Sequence, residues 1–177
     1  MGNLNKLMDR YFKAAVWFGV LGGIFCGLAF IVFYFVGAEP ISFTEIFGYI
    51  IIPLFVFLGI KNFKDNMNNN ELYFGQGMTV GFFVYSLLAI ISAMVIFIML
   101  HIDTAVFEDY KAAALTLLTE KKEVIMEQLG SESYEATVKS MSGMTIFDVV
   151  LNDFLRKLVP GLFFTIILSI VLKNSNN

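Results

Sequence analysis

Cysteine and histidine are almost absent from this 177-residue chain, which has one of each. A lone cysteine cannot form an intramolecular disulfide, and Cys26 lies in an apolar run without a cationic neighbour that would activate a thiolate. His101 has no second histidine or cysteine with which to share a metal ion, so we interpret it as an interfacial residue. No nucleophile elbow, SxxK pair or glycine-rich phosphate loop is present. We therefore expect no metal, no cofactor and no enzymatic activity.

Charged residues are also scarce, at 15% of the chain, against roughly 25% in ordinary soluble domains. The net charge is only −3, and no cluster of basic residues forms the kind of surface that binds DNA or RNA, so we exclude nucleic acid as a partner. Hydrophobic residues make up 58% of the sequence, including 20 phenylalanines, and they gather in long blocks. The expected environment is a lipid bilayer.

Four apolar stretches are candidates to cross the hydrocarbon layer, which is about 30 Å thick. They are residues 14–36, 41–60, 77–102 and 146–172. Because hydrocarbon cannot satisfy backbone amides and carbonyls, these spans must be helices, and the predicted fold is an all-α membrane four-helix bundle. Pro53 predicts a kink in the second span.

The fourth span is the weakest of the four, because only residues 158–172 are free of charge. We expect Arg156 and Lys157 to extend toward the headgroups, as long basic side chains near membrane ends often do. Asp153 and Lys157 are four residues apart, which is the spacing of an ion pair on a helix.

The distribution of basic residues predicts the orientation of the chain. Six of those near the ends of the spans collect on one side, against Lys111, Arg156 and Lys157 on the other, and the positive-inside rule makes the first side cytoplasmic, together with both termini. The six are Lys6, Arg10, Lys13, Lys61, Lys64 and Lys173. Residues 103–145, between spans three and four, should then be extracytoplasmic.

Residues 103–145 are predicted to form a helical hairpin. Apolar residues from Phe107 to Leu129 recur at helical spacing, and Gly130 is a natural helix end. Ser131 suits the N-cap of a second, shorter helix that Gly143 would end. An apolar stripe of this kind either packs on the protein's own helices or the lipid interface, or it binds a partner, and both interpretations stay open.

Small residues mark the faces where helices can approach closely. On the first span they are Ala15, Gly19, Gly23 and Gly27, and on the third they are Gly77, Gly81, Ala89 and Ala93. We expect these two edges to meet within one chain. A homodimer through the first span is the alternative.

The predicted span centres carry no formal charge, which disfavours a transporter. Neutral polar side chains on the third span would be needed for an alternative role as a small transporter or channel. They are Gln76, Thr79, Tyr85, Ser86 and Ser92.

Short motifs around the second and third spans resemble a known family. Ile-Pro-Leu-Phe at 52–55, Gly-Ile-Lys-Asn-Phe-Lys-Asp at 59–65 and Phe-Gly-Gln-Gly-Met at 74–78 are similar to the bacterial four-span membrane family called domain of unknown function 4199. The matching positions are Pro53, Lys61, Lys64, Asp65, Phe74, Gly75 and Gln76. Gly77 departs from the alanine common there. The resemblance implies a bacterial inner-membrane protein without an assigned activity and, since family genes occur near those of envelope glycosyltransferases, a partner role in envelope biogenesis.

Taken together, the sequence predicts a non-enzymatic accessory or scaffold protein of the bacterial inner membrane. Its expected partners are the lipid bilayer and either a second copy or another membrane protein. The small transporter or channel is the alternative. A membrane-embedded enzyme ranks third, and it would require His101 and Asp148 to converge at a cleft.

Overall fold

The computed structural model describes residues 2–174, with side chains from residue 7 onward, and every regular element in that range is a helix. The helices are α1 (Gly2–Val36), α2 (Pro40–Asn62), α3 (Phe74–Ile102), α4 (Thr104–Glu120), α5 (Lys122–Leu129), α6 (Ser131–Ser142) and α7 (Ile146–Val171), with a π-helical turn at Phe63–Met67 after α2. The side chain of Lys6, counted above among the cytoplasmic basic residues, lies outside the described residues. The predicted all-α class is confirmed.

Four of these helices, α1, α2, α3 and α7, are long and apolar enough to cross a membrane. They pack as a bundle in which α1 lies against α2 and α3, while α7 lies against α2 and α3. The core between them includes Ile52, Val56, Val84 and Leu88, all fully buried. α2 continues through Pro53 as one helix, and the predicted kink stays a prediction.

Polar side chains cap the first turns of α3 and α7 and so set where these apolar helices begin. α3 begins at Phe74, three residues before the predicted span, because the Gln76 side chain accepts a hydrogen bond from the Tyr73 backbone N–H (3.0 Å). α7 begins after Thr145, whose hydroxyl accepts from the Asp148 N–H, while the Asp148 carboxylate accepts from the Thr145 N–H (2.8 Å). This reciprocal cap satisfies backbone donors that the helix itself leaves free.

The segment between α3 and α7 contains three helices, where the sequence predicted two. The first breaks at Lys121, which has φ −94° and ψ 9° and leaves the helical path. Gly130 ends α5 at a positive φ of 83° and Gly143 ends α6, as predicted. The prediction for Ser131 is wrong, because Ser131 is the first residue of α6 and Gly130 occupies the cap position. α6 packs against both α4 and α5.

Candidate functional site

One face of α7 points into the bundle along almost its whole length. Its buried residues recur at strict four-residue intervals, and the six positions are Val149, Asp153, Lys157, Gly161, Thr165 and Ser169. Four of the six are polar, and two of those carry charge. A polar stripe inside a membrane bundle is unusual, because charged side chains there are costly and are retained mainly where they have a role.

Asp153 and Lys157 form an ion pair within this stripe. The Lys157 ammonium donates to Asp153 Oδ1, and the two residues are 1% and 5% exposed, respectively. Lys157 lies eleven residues into α7, about 16 Å along its axis. The predicted four-residue pairing is confirmed. Another expectation is wrong, because the buried Lys157 side chain points into the bundle and does not extend toward the headgroups.

The reason lies on the neighbouring helix α2. A Cβ atom added at Gly48 would lie 3.4 Å from Lys157 Cε, so the missing side chain of Gly48 leaves room for the lysine stem. Lys157 therefore packs inward and pairs with a carboxylate there. The sequence signal that we overlooked is the four-residue register of Asp153 and Lys157 with Gly161, Thr165 and Ser169.

A second ion pair connects α7 to α2 at the outer surface of the bundle. Arg156 Nη1 donates to both Glu45 oxygens, at 2.8 and 2.9 Å. Tyr49 donates its hydroxyl to Glu45 Oε1 (3.0 Å), and Arg156 Nε donates to Asn152 Oδ1 (3.3 Å). The Arg156 side chain is 52% exposed and that of Glu45 is 19% exposed. This outer pair thus crosslinks two spans next to the buried pair.

Several buried oxygens have no hydrogen-bond partner among the described residues. They are Thr44 Oγ1, Ser92 Oγ, Asp153 Oδ2, Thr165 Oγ1 and Ser169 Oγ. For Thr165 and Ser169 the surroundings account for the arrangement, because a Cβ added at Gly81 or Gly77 would lie 2.7 Å from the respective hydroxyl oxygen. Each hydroxyl therefore rests on the bare backbone of α3, the contact that small residues allow between membrane helices.

The first turns of α4 cover the end of the bundle where these ion pairs lie. Phe107 is buried and Tyr110 packs beside it against the apolar cluster that contains Val149. Burial raises the pKa of the Tyr110 phenol, Arg156 opposes the rise, and Glu39 adds to it. Next to Tyr110, a pocket of about 690 Å³ opens between α4, α6 and the first turns of α7.

The glycines of α1 contact α3, but Gly77 and Gly81 of α3 do not face α1. A Cβ at Gly19, Gly23 or Gly27 would come within 3.0 Å of side-chain atoms of Leu87, Ile91 or Val95, respectively. Ala15 is fully buried on the same helix, and Ala89 and Ala93 are buried on α3. Gly77 and Gly81 face α7 instead. The α1 ridge is therefore occupied within one chain.

The residues that resemble the family motif gather mainly at the opposite end of the bundle, around the connection from α2 to α3. Lys61 pairs with Asp65 (2.6 Å), and the Lys64 ammonium donates to the Leu172 carbonyl (3.1 Å). Gln76 Oε1 accepts from the Asn68 side chain (3.1 Å) as well as from Tyr73. These contacts join α2, α3 and the end of α7 at one corner.

The other motif positions have fewer contacts. Phe74 is 43% exposed at the start of α3, and nothing lies within 4 Å of a Cβ added at Gly75. Pro53 lies within α2, away from that corner. Most motif residues therefore hold the helices together at this corner rather than line a ligand pocket.

The polar side chains of the alternative path along α3 are mostly buried or bonded within their own helix. Gln76 caps its own helix and Thr79 donates to the Gly75 carbonyl (2.8 Å). Tyr85 packs against Gly161, and Ser92 is buried. Four pockets, which lie beside Tyr110, Tyr34, Phe97 and Tyr49, include neither these residues nor Ser86 in their walls.

His101 and Asp148 each have a local partner. His101 Nδ1 lies 2.8 Å from the Phe97 carbonyl oxygen, and Asp148 accepts from Thr145. Within the described residues, no group of three or more His, Cys, Asp or Glu side chains could hold a metal ion.

Comparison with known proteins identifies a family. The family model described as "Protein of unknown function (DUF4199)" matches residues 17–174. No curated protein and no solved structure matches the chain.

Proposed function

The chain belongs to the DUF4199 family, whose function is unknown, and from that premise we propose that it is a non-enzymatic accessory or scaffold protein of the bacterial inner membrane. Its four apolar helices make it a multi-pass membrane protein. In this proposal the bundle holds α4–α6 at the extracytoplasmic face, where they bind a partner protein that acts in envelope biogenesis.

The observation that carries the proposal is the poor internal packing of α4–α6. Across these three helices only Phe107 is buried. Leu117, Val124 and Leu129 are 51%, 53% and 66% exposed. Because exposed apolar side chains outside the membrane gain nothing from water, such a surface is typical of a protein contact site.

The charge of this segment supports a protein partner over the lipid surface. Residues 103–145 contain eight acidic and four basic residues, so the segment is repelled by anionic headgroups. Helices that bind membrane surfaces are usually rich in Lys and Arg on their polar face. The complementary partner is a protein with an apolar and basic surface.

The orientation in the proposal rests on the basic residues at the other end of the bundle. Arg10 binds the Met67 carbonyl, and Lys61 and Lys64 lie at the same corner. Basic residues near span ends favour the cytoplasmic side, which supports cytoplasmic termini and an extracytoplasmic α4–α6.

Photo-crosslinking in intact membranes tests the proposal. A photoreactive amino acid at Leu117, Val124 or Leu129, at native expression, should give one discrete protein adduct, identified by mass spectrometry, or a dimer of this chain. As a matched control, the same probe at Ile170, which is 60% exposed on the bundle, should crosslink mainly to lipid. Recovery of a lone monomer from mild detergent, with lipid adducts at all four positions, would contradict the proposal.

A small transporter remains the second candidate, and the buried Asp153–Lys157 pair favours it. Intramembrane pairs of this kind often mark ion or proton pathways. The test is proton flux in liposomes containing the purified protein and a trapped pH dye. Flux abolished by Asp153→Asn but retained in Asp9→Asn, on the exposed part of α1, would support transport. Flux equal to that of empty liposomes would contradict it.

A further inference from the structure

The guanidinium of Arg156 lies at a surface where few hydrogen-bond acceptors are available. Its Nη1 and Nε donate to Glu45 and Asn152, and Nη2 donates to no described residue, although half of the side chain is exposed. In the lipid-facing layer the remaining acceptors are water and the oxygens of lipid headgroups. An unsatisfied charged donor there is costly unless one of them reaches it.

The depth of Arg156 matches the headgroup layer. Arg156 lies ten residues into α7, about 15 Å along the axis, but a helical side chain points back toward the N-terminus of its helix. Its partner Glu45 lies five residues into α2, only about 8 Å from the start of that helix. The ion pair therefore sits near the boundary between headgroups and acyl chains, in the leaflet next to α4–α6.

Below the guanidinium an apolar trough of about 490 Å³ runs between α2 and α7. Its walls are Tyr49, Arg156, Val159, Pro160 and Phe163. Val159, Pro160 and Phe163 follow Arg156 on α7 by three, four and seven residues. This spacing places the trough along one face of the helix for about 10 Å. Arg156 at one end and an apolar trough below it match the phosphate and the acyl chain of a phospholipid.

We propose that the Glu45–Arg156 pair and this trough bind a phospholipid whose headgroup carries both a phosphate and a primary ammonium. The phosphate would accept from Arg156 Nη2, and the ammonium would donate to the Glu45 carboxylate. A quaternary ammonium such as choline cannot donate to Glu45, and a purely anionic headgroup such as glycerol phosphate would face the Glu45 charge without an ammonium to offset it. This site is on the lipid-facing side of the bundle and does not depend on what α4–α6 bind.

Native mass spectrometry of the purified full-length chain tests the site. The protein is mixed with equal amounts of phosphatidylethanolamine, phosphatidylcholine and phosphatidylglycerol that carry the same acyl chains. Because a hydrogen bond to a charged group is worth enough to change binding about tenfold, we expect phosphatidylethanolamine to be retained about tenfold more than either of the others.

Variants at Arg156 and at Val159 separate the headgroup contacts from the trough. Arg156→Gln should abolish the selectivity, and Glu45→Gln with Arg156→Gln should do the same without leaving Glu45 unpaired if the single variant folds poorly. Val159→Trp fills the trough from a side chain that is 72% exposed, and it should lower retention of all three lipids. Lys121→Gln is the control, because it removes one exposed positive charge between α4 and α5 and should leave the selectivity unchanged.

Three outcomes would overturn the proposal. Equal retention of the three lipids would show that no headgroup is recognised. A preference for phosphatidylglycerol that depends on Arg156 would remove the role of Glu45. Binding of soluble phosphoethanolamine at the affinity of the whole lipid, with Val159→Trp unaffected, would show that the trough takes no part.

Discussion

The membrane bundle and the α4–α6 segment are built from equally helical sequence but are packed very differently. In the bundle, glycines let side chains approach to less than 3 Å of a missing Cβ, and Leu88 and Val84 have no exposed surface. In α4–α6, threonine hydroxyls such as those of Thr116 and Thr137 bond only to their own helix. Helices in lipid gain stability from close packing, whereas this segment leaves its apolar side chains available.

Few contacts join the two regions. The Tyr34 hydroxyl donates to the Asp103 carboxylate (2.8 Å), and Phe107 and Tyr110 pack on the end of the bundle. Beyond Tyr110 the segment is supported mainly by itself. Segments with few buried contacts open locally at low free energy, as binding elements often do. The bundle thus provides a closely packed base, and in the proposed function α4–α6 supply a surface that can adapt to a partner.

The largest expected change in unfolding free energy comes from breaking the buried Asp153–Lys157 pair, and it tests whether water is excluded from the bundle interior. Lys157→Ala would leave the Asp153 carboxylate buried without its partner, and such breaks cost about 3–5 kcal/mol of unfolding free energy. Replacing both residues, as Asp153→Leu with Lys157→Met, should be nearly neutral, since paired charges cost about as much to bury as they return. Denaturant titration in detergent measures both.

Lys13→Ala is the matched control, because Lys13 also pairs four residues away, with Asp9 at 2.9 Å, but both side chains are more than half exposed. Its expected cost is at most about 1 kcal/mol. If Lys157→Ala cost no more than Lys13→Ala, water would reach the buried pair and the contrast with α4–α6 would lose its basis.

The next effect concerns the contact between α1 and α3. Gly23→Leu would place a Cβ 2.6 Å from Ile91 Cβ, so the helices must separate, at a cost of about 1–3 kcal/mol for overpacking. Gly75→Leu is the control, because nothing lies within 4 Å of a Cβ there. The same titration compares them. Equal stabilities would mean that α1 and α3 do not pack this closely.

A smaller effect is expected at the corner that carries the family motif. Gln76→Ala removes the acceptor for the Tyr73 N–H and for Asn68, and losing such a cap costs about 1 kcal/mol. Asn66→Ala, which loses only an exposed bond to Asn62 (2.9 Å), should change stability by less than about 0.5 kcal/mol. A loss in Asn66→Ala as large as in Gln76→Ala would contradict a special role for this cap.

The sequence predicted features that depend on a single segment, and it missed features that depend on how helices pack against one another. The length of the apolar runs was sufficient for the four spans, because lipid imposes its own minimum length on a helix. Gly130 marked a helix end by its backbone freedom, since it adopts φ 83°, whereas Gly143 marked another at an ordinary φ of −87°. The break at Lys121 had no such signal. The direction of Lys157 depends on Gly48 of another helix, and whether Gly77 faces α1 or α7 depends on bundle geometry, so local patterns could not decide either.

The smallest expected change in unfolding free energy is in α4–α6, and it distinguishes this segment from the membrane bundle most clearly. Leu129→Ser removes an apolar side chain that is 66% exposed, and surface changes of this kind stay within about 0.5 kcal/mol. If α4–α6 bind a partner through such side chains, the same substitution should weaken the photo-crosslink formed from Leu117 severalfold while the unfolding titration is unchanged. Ile170→Ser on the bundle gives the matched comparison, because it should leave that crosslink intact. A crosslink that survives Leu129→Ser, with Val124→Ser added, would show that the exposed apolar side chains of this segment do not bind the partner.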